Sequence, residues 1–224
     1  MVLTAKIFKL RRDLDFDTIA DKLENFREER TEDGVNLVMN FGDFRFMGDE
    51  LRCKFMMDKL VPVYYRGAER KVPKTIEAPV IFKEHEGVKY VIVMEKKRMA
   101  NFIANKISEA LFISVGEVVE ARISHEALKA LHEANPGSSR VIFFDDVDIP
   151  NVEKLSLYGE SLSDTSLYSM YLQHGKIWYV VFEFKKYGYI VGITRNCVLT
   201  MFSNIDSESF IQFIYKEILP LIEA

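Results

Sequence analysis

Thirteen Lys and Arg side chains fall between positions 51 and 106, against six Asp and Glu. That stretch carries +7. Residues 1–50 carry −4 and residues 107–224 carry −7, so the whole-chain charge of −4 conceals a basic centre. Sign sorting of this kind reports on partners more than on fold. The chemistry open to Lys and Arg here is neutralisation of phosphate with release of counterions. Arg45, Arg52, Lys54 and Lys89 alternate with apolar residues and are expected on the open faces of strands. Arg66, Arg70, Lys71 and Lys74 lie in a stretch punctuated by Gly67, Pro73 and Pro79. Lys96, Lys97 and Arg98 stand where a helix begins, a placement that opposes the helix dipole unless an anion sits nearby. Tyr64, Tyr65 and Tyr90 lie among these cations, where aromatic rings can stack on bases.

Other chemistries are thinly represented. Asp145, Asp146 and Asp148 follow the apolar run Val141–Phe144, a place where α/β folds hold Mg²⁺ for phosphoester chemistry. Their spacing resembles the first motif of haloacid-dehalogenase phosphatases, but Ile149-Pro150 stands where that family has Gly and Thr. Gly159-Glu160-Ser161-Leu162-Ser163 misses the nucleophile elbow at its last position. His85, His125, His132 and His174 are scattered, and each reads as a surface residue. There is no Walker A motif, no G-x-G-x-x-G and no C-x-x-C. Cys53 and Cys197 sit in strand-like runs and read as reduced core thiols. No cofactor and no metal are expected, and the reading leans away from an enzyme.

Hydrophobic residues at 48% and charged residues at 29% are ordinary for a soluble protein. The net acidic balance argues against a protein that coats nucleic acid indiscriminately. Gln occurs only at positions 173 and 212, while Lys, Glu and Ile are plentiful, which leans towards a heat-adapted source. MVLTAKIFKLRR lacks the apolar core of a signal peptide, and no uncharged apolar run reaches the roughly 18 residues of a membrane span. A cytoplasmic protein with no membrane partner is expected.

These side chains must be positioned by a mixed set of elements. A first strand at Ala5–Leu10 precedes a helix near Thr18–Arg30, then a meander. Gly42-Asp43 reads as a hairpin turn, Leu51–Met57 as an alternating strand, and Tyr65–Pro79 as an irregular loop. Val80–Phe82 and Val88–Met94 form a hairpin about Glu86-Gly87, followed by a helix to Phe112. The second half repeats the outline: a helix capped by Ser124 and ended by Asn135-Pro136-Gly137, a strand at Val141–Phe144, then a hairpin about Tyr187-Gly188. A helix capped by Asp164 is expected before it, and a final helix from Ser207 after it. The fold class is α+β, with two antiparallel-rich sheets each covered by helices and a loose ββα duplication. The halves divide as 1–114, a β-meander with the basic face, and 115–224, an acidic half ending in an apolar helix.

Phe210, Phe213, Ile214, Ile218 and Leu221 wrap most of that last helix, which is expected either deep in the core or in a homo-oligomer interface. The function expected is a non-enzymatic, self-associating protein that docks on RNA, DNA or a ribonucleoprotein particle through its basic middle. The alternatives are a metal-dependent phosphoester enzyme using the three aspartates, or a purely protein–protein interaction module.

Overall fold

The structure is a computed structural model, and it describes residues 2–135 and 139–223. The protein is a mixed α+β chain. Its strands pair antiparallel, and it forms two compact units, Phe8–Val119 and Met1–Ile7 with Glu120–Ala224. Strand β1 (Leu3–Leu10) gives residues to both. No helix among the described residues is long and apolar enough to cross a membrane.

In the Phe8–Val119 unit, Asp15 caps helix α1 (Phe16–Glu24) by accepting from the Thr18 N–H at 2.7 Å. The helix stops at Asn25. The segment expected to continue it is instead β2 (Arg27–Glu32), which pairs with β3 (Val35–Phe46) across the Asp33-Gly34 turn. The meander continues through β4 (Glu50–Tyr65), β5 (Ala68–His85) and β6 (Val88–Val93), each strand antiparallel to the one before. Helix α2 (Lys97–Phe112) follows. Period-2 alternation turns Leu51, Cys53, Phe55 and Ala78 to one face, where Ile19 and Leu23 of α1 and Ile103 and Ile107 of α2 cover them. Phe26, Phe41, Phe55 and Phe102 meet edge to face in series, with ring centroids 5.6, 5.3 and 6.1 Å apart.

Gly42-Asp43 is no hairpin turn. The β3–β4 register shifts between Gly42 and Arg45, and β3 runs on through the irregularity. A Cβ at Gly42 would stand 2.8 Å from the Met56 methyl, so a larger residue there would require that flexible side chain to move.

The other unit holds β7 (Val118–Glu120) in part, then α3 (His125–Glu133), β8 (Ser139–Asp145), β9 (Leu155–Tyr158), α4 (Ser166–His174), β10 (Lys176–Phe184), β11 (Tyr189–Thr194) and β12 (Val198–Met201). Its strand order is β1-β12-β11-β10-β8-β9. Ser124 caps α3 as expected. Of the expected stop, Pro136 and Gly137 lie outside the described residues. Thr165, rather than Asp164, caps α4 by accepting from the Tyr168 N–H at 3.1 Å. Helix α5 (Ser207–Phe213) passes into a π turn at Ile214–Ile218 and a 3-10 turn at Leu219–Leu221, where Pro220 stands.

Candidate nucleic-acid interface

The segment expected as a loop is a strand. From Glu50↔Lys83 to Tyr65↔Ala68 the β4–β5 ladder is continuous, with no shift of register. β3 pairs with β4 only as far as Met57, and β6 pairs with β5 only from Val80. The outer part, Lys59–Tyr65 against Ala68–Lys74, is therefore a two-stranded arm with no further strand on either side among the described residues. Arg66 and Gly67 close it with φ of 49° and 77°. Positive φ at both central residues is the signature of a type I′ turn, whose twist matches the strands it joins. Pro62 and Pro73 are tolerated because both outer strands are edges, and a proline there gives up no ladder bond when its nitrogen points outward. The same prolines discourage a further strand from adding.

Directly opposed residues share a face, so the register sorts the arm's side chains. On the face that continues the core positions lie Lys59 opposite Lys74, Val61 opposite Val72, Val63 opposite Arg70, and Tyr65 opposite Ala68. No Asp or Glu stands among them. The arm's other face carries one charge of each sign, Glu69 and Lys71, and continues inward past Asp58 and Glu77 to Lys54 and Arg52. Asp58 is bound there by the Thr75 hydroxyl at 2.6 Å and the Val38 N–H at 3.1 Å, which hold its carboxyl below the usual range. Lys71 is bound by Asp33 at 2.7 Å, which holds its ammonium pKa up. Within the arm one face is thus purely cationic and the other carries charges of both signs.

On the cationic face the guanidinium groups of Arg66 and Arg70 stand 5.3 and 5.9 Å from the centroid of Tyr65. Cation–π contact of this kind orients the two arginines without neutralising them. Lys59, Arg66, Arg70 and Lys74 form no ion pair among the described residues and are exposed. Like charges opposed across a ladder, as at Lys59 and Lys74, destabilise the strand pair that bears them. Lys59 is the member of this face that sequence reasoning misses. The signal is present, since it continues the parity of Leu51, Cys53, Phe55 and Met57.

The remaining cations do not converge on this face. Arg52 is held by Glu50 at 2.6 Å. Lys54 lies 3.0 Å from Asp43 and 3.1 Å from Glu77, and these two carboxylates raise its pKa. Lys89 meets Asp13 at 2.5 Å and Glu84 at 3.4 Å; burial opposes its charge, but these partners outweigh it and raise the pKa. Arg45 lies opposite Arg52, on the face of Lys54 rather than that of Lys59. Lys96, Lys97 and Arg98 are exposed at the start of α2, whose first turn has no acidic residue and no side-chain cap. Tyr90 is buried and unavailable for stacking, whereas Tyr64 is 77% exposed at the arm tip.

Asp145 accepts from Arg195 at 2.5 Å, Asp146 lies 3.6 Å from Arg195 and 3.8 Å from Lys176, and Asp148 meets His174 at 2.8 Å. Basic groups face all three carboxylates, and among the described residues no three His, Cys, Asp or Glu side chains are grouped to hold a metal. The histidines are not all superficial. His132 is fully buried against the Tyr168 ring, with both ring nitrogens unpartnered, and His125 accepts from the Ile177 N–H at 2.8 Å. Cys53 and Cys197 are buried free thiols, and burial pushes the Cys53 pKa up to about 12. Phe210, Phe213, Ile214 and Ile218 are buried, and Leu221 is half-buried. Phe213 packs edge-on to Phe184 at 5.4 Å, so these side chains leave little surface for a second copy.

No protein-family model matches the chain, and no curated protein matches it.

Proposed function

We propose that this chain is a non-enzymatic binding protein that docks on nucleic acid, free or within a ribonucleoprotein particle, through the outer β4–β5 arm. The observation behind this reading is the carboxylate-free face on which Lys59, Arg70 and Lys74, with Arg66 at the turn, remain unneutralised. A face of that composition neutralises phosphates and gains free energy from the release of the cations condensed on the nucleic acid. The exposed cations at the start of α2 extend the same preference, because a helix N-terminus already favours an anion. Two buried, unbridged cysteines suit a reducing cytoplasm, where such a polyanion is at hand.

The test is a titration of the full chain against a DNA duplex and a structured RNA at several salt concentrations. Binding to at least one should weaken steeply with salt, and Lys59→Glu with Lys74→Glu should weaken it further. Affinity indifferent to both salt and charge reversal would remove the proposal.

A further inference from the structure

We infer that the arm's partner is B-form duplex DNA, with the cationic face laid across the major groove; this rests on the nucleic-acid reading above and narrows it. The face is layered. Lys59 and Lys74 form the first layer, Val61 and Val72 the second, Val63 and Arg70 the third, and Tyr65 with Ala68 the fourth, next to Arg66. Arg70 lies four residues along β5 from Lys74. At about 3.3 Å per residue in a twisted strand, that is about 13 Å. The major groove of B-form DNA is about 12 Å wide, and it admits a two-stranded ribbon. Cations at the first and third layers can therefore meet phosphates on the two walls while the valine layer lies over the floor.

The floor decides between duplexes. B-form DNA presents thymine methyl groups there, which accept apolar contact. The wide groove of an A-form RNA helix presents 2′-hydroxyls, which valines would strip of water without returning a hydrogen bond. The deep A-form groove is too narrow for side chains to read. Single strands are disfavoured by a different feature. Tyr65, the aromatic ring on this face, is 52% exposed, but guanidinium groups stand 5.3 and 5.9 Å from its centroid and a stacking base would have to compete with them. Tyr64, the more exposed ring, shares its face with Glu69.

Fluorescence anisotropy with the full chain tests this, using a DNA duplex of about two helical turns, an RNA duplex of the same sequence and one DNA strand alone. DNA duplex should bind about tenfold more tightly than either competitor, since the discrimination supplied by one well-matched base interaction is of that size. Val61→Ser with Val72→Ser should close the DNA–RNA gap and leave the salt dependence unchanged. Lys59→Gln with Lys74→Gln should flatten the log K against log salt slope by roughly 0.9 for each phosphate no longer neutralised. RNA duplex or single strand binding as tightly as DNA duplex overturns the groove assignment and leaves the nucleic-acid reading standing. Binding of none of the three overturns that reading itself. The comparison of three nucleic acids uses the unaltered chain, so it does not depend on any variant folding.

Discussion

Ile113 shows how a single residue can be placed against its own preference. It ends α2 with φ of 58°, in the left-handed region, and its N–H closes the helix on the Glu109 carbonyl at 2.9 Å. Glycine is the usual residue there, because a β-branched side chain crowds the backbone in that conformation. Its side chain is 96% exposed, so packing does not offset the strain. Ile113→Gly should therefore stabilise the protein by about 1 kcal/mol, from the roughly 1–2 kcal/mol of left-handed strain less the extra freedom of glycine in the unfolded chain. The midpoint of urea denaturation reports it, and a lower midpoint would show that the Ile113 side chain stabilises the fold in a way the backbone argument ignores. The same competition between local preference and use recurs at Lys59 and Lys74. Two like charges face each other where one Glu would bring relief, a cost that the proposed polyanionic ligand would offset.

At the scale of an element, the arm is separable from the core. Buried positions on β4 end at Phe55 and those on β5 begin at Ala78, and every residue of the turn and of its nearest pairs is exposed. Joining Lys59 to Lys74 through Asn-Gly, in place of residues 60–73, keeps a type I′ turn and removes only the ribbon. That variant should melt within a few degrees of the parent while losing affinity for duplex DNA. A large drop in melting temperature would place part of the core in the arm. The arm is also where sequence and structure part company. The hairpin about Glu86-Gly87, the cap Ser124 and the alternation Leu51–Met57 are legible because each is a local preference satisfied locally. Pro73 reverses that logic, since proline marks a break unless the strand is an edge, and being an edge depends on strands far away in sequence. Gly67, expected in a loop, is one half of a two-residue turn. The basic composition is plain from the sequence, but the division into a carboxylate-free cationic face and a face of mixed sign is not. A shift of one residue in register would exchange the faces of an entire strand. Hence composition groups Lys71 with Lys74, although the ladder sets them on opposite faces, and passes over Lys59.

For the whole molecule, the ionisable groups that folding perturbs fix how stability responds to acid. Burial lowers the pKa of His132, opposed by Glu133, and burial likewise lowers that of His125. Their folded values lie below the ordinary histidine value of 6.5. The unfolded chain therefore binds their protons first, and stability present above about pH 6.5 is lost as pH falls through that region. Several carboxylates titrate lower still. Asp15 and Asp206 are held down by the N-cap bonds from Thr18 and Ser209, and Asp58 by Thr75. For Glu217 burial works in the other direction, but the bonds from Lys186 and Tyr187 outweigh it. A carboxylate with a depressed folded pKa contributes stability above its unfolded value near 4, and loses it as pH falls through the folded one. Acid should accordingly unfold the chain in two stages, a shallow loss between about pH 7 and 5 from the histidines and a steep one below about pH 4.5 from the carboxylates. His132→Phe separates them. It keeps a ring against Tyr168, which lies 5.1 Å away, and removes two nitrogens that have no partner. The variant should be at least as stable as the parent at pH 8, because an unpartnered buried polar group is replaced by an apolar one of similar shape. It should lose less stability between pH 7 and 5, with His125 supplying the remainder, and match the parent below that. Denaturation midpoints of the two proteins at pH 8, 6, 5 and 4 read out the difference. Parallel curves across all four would mean that His132 takes up its proton without leaving the core, and the burial account of the first stage would fall.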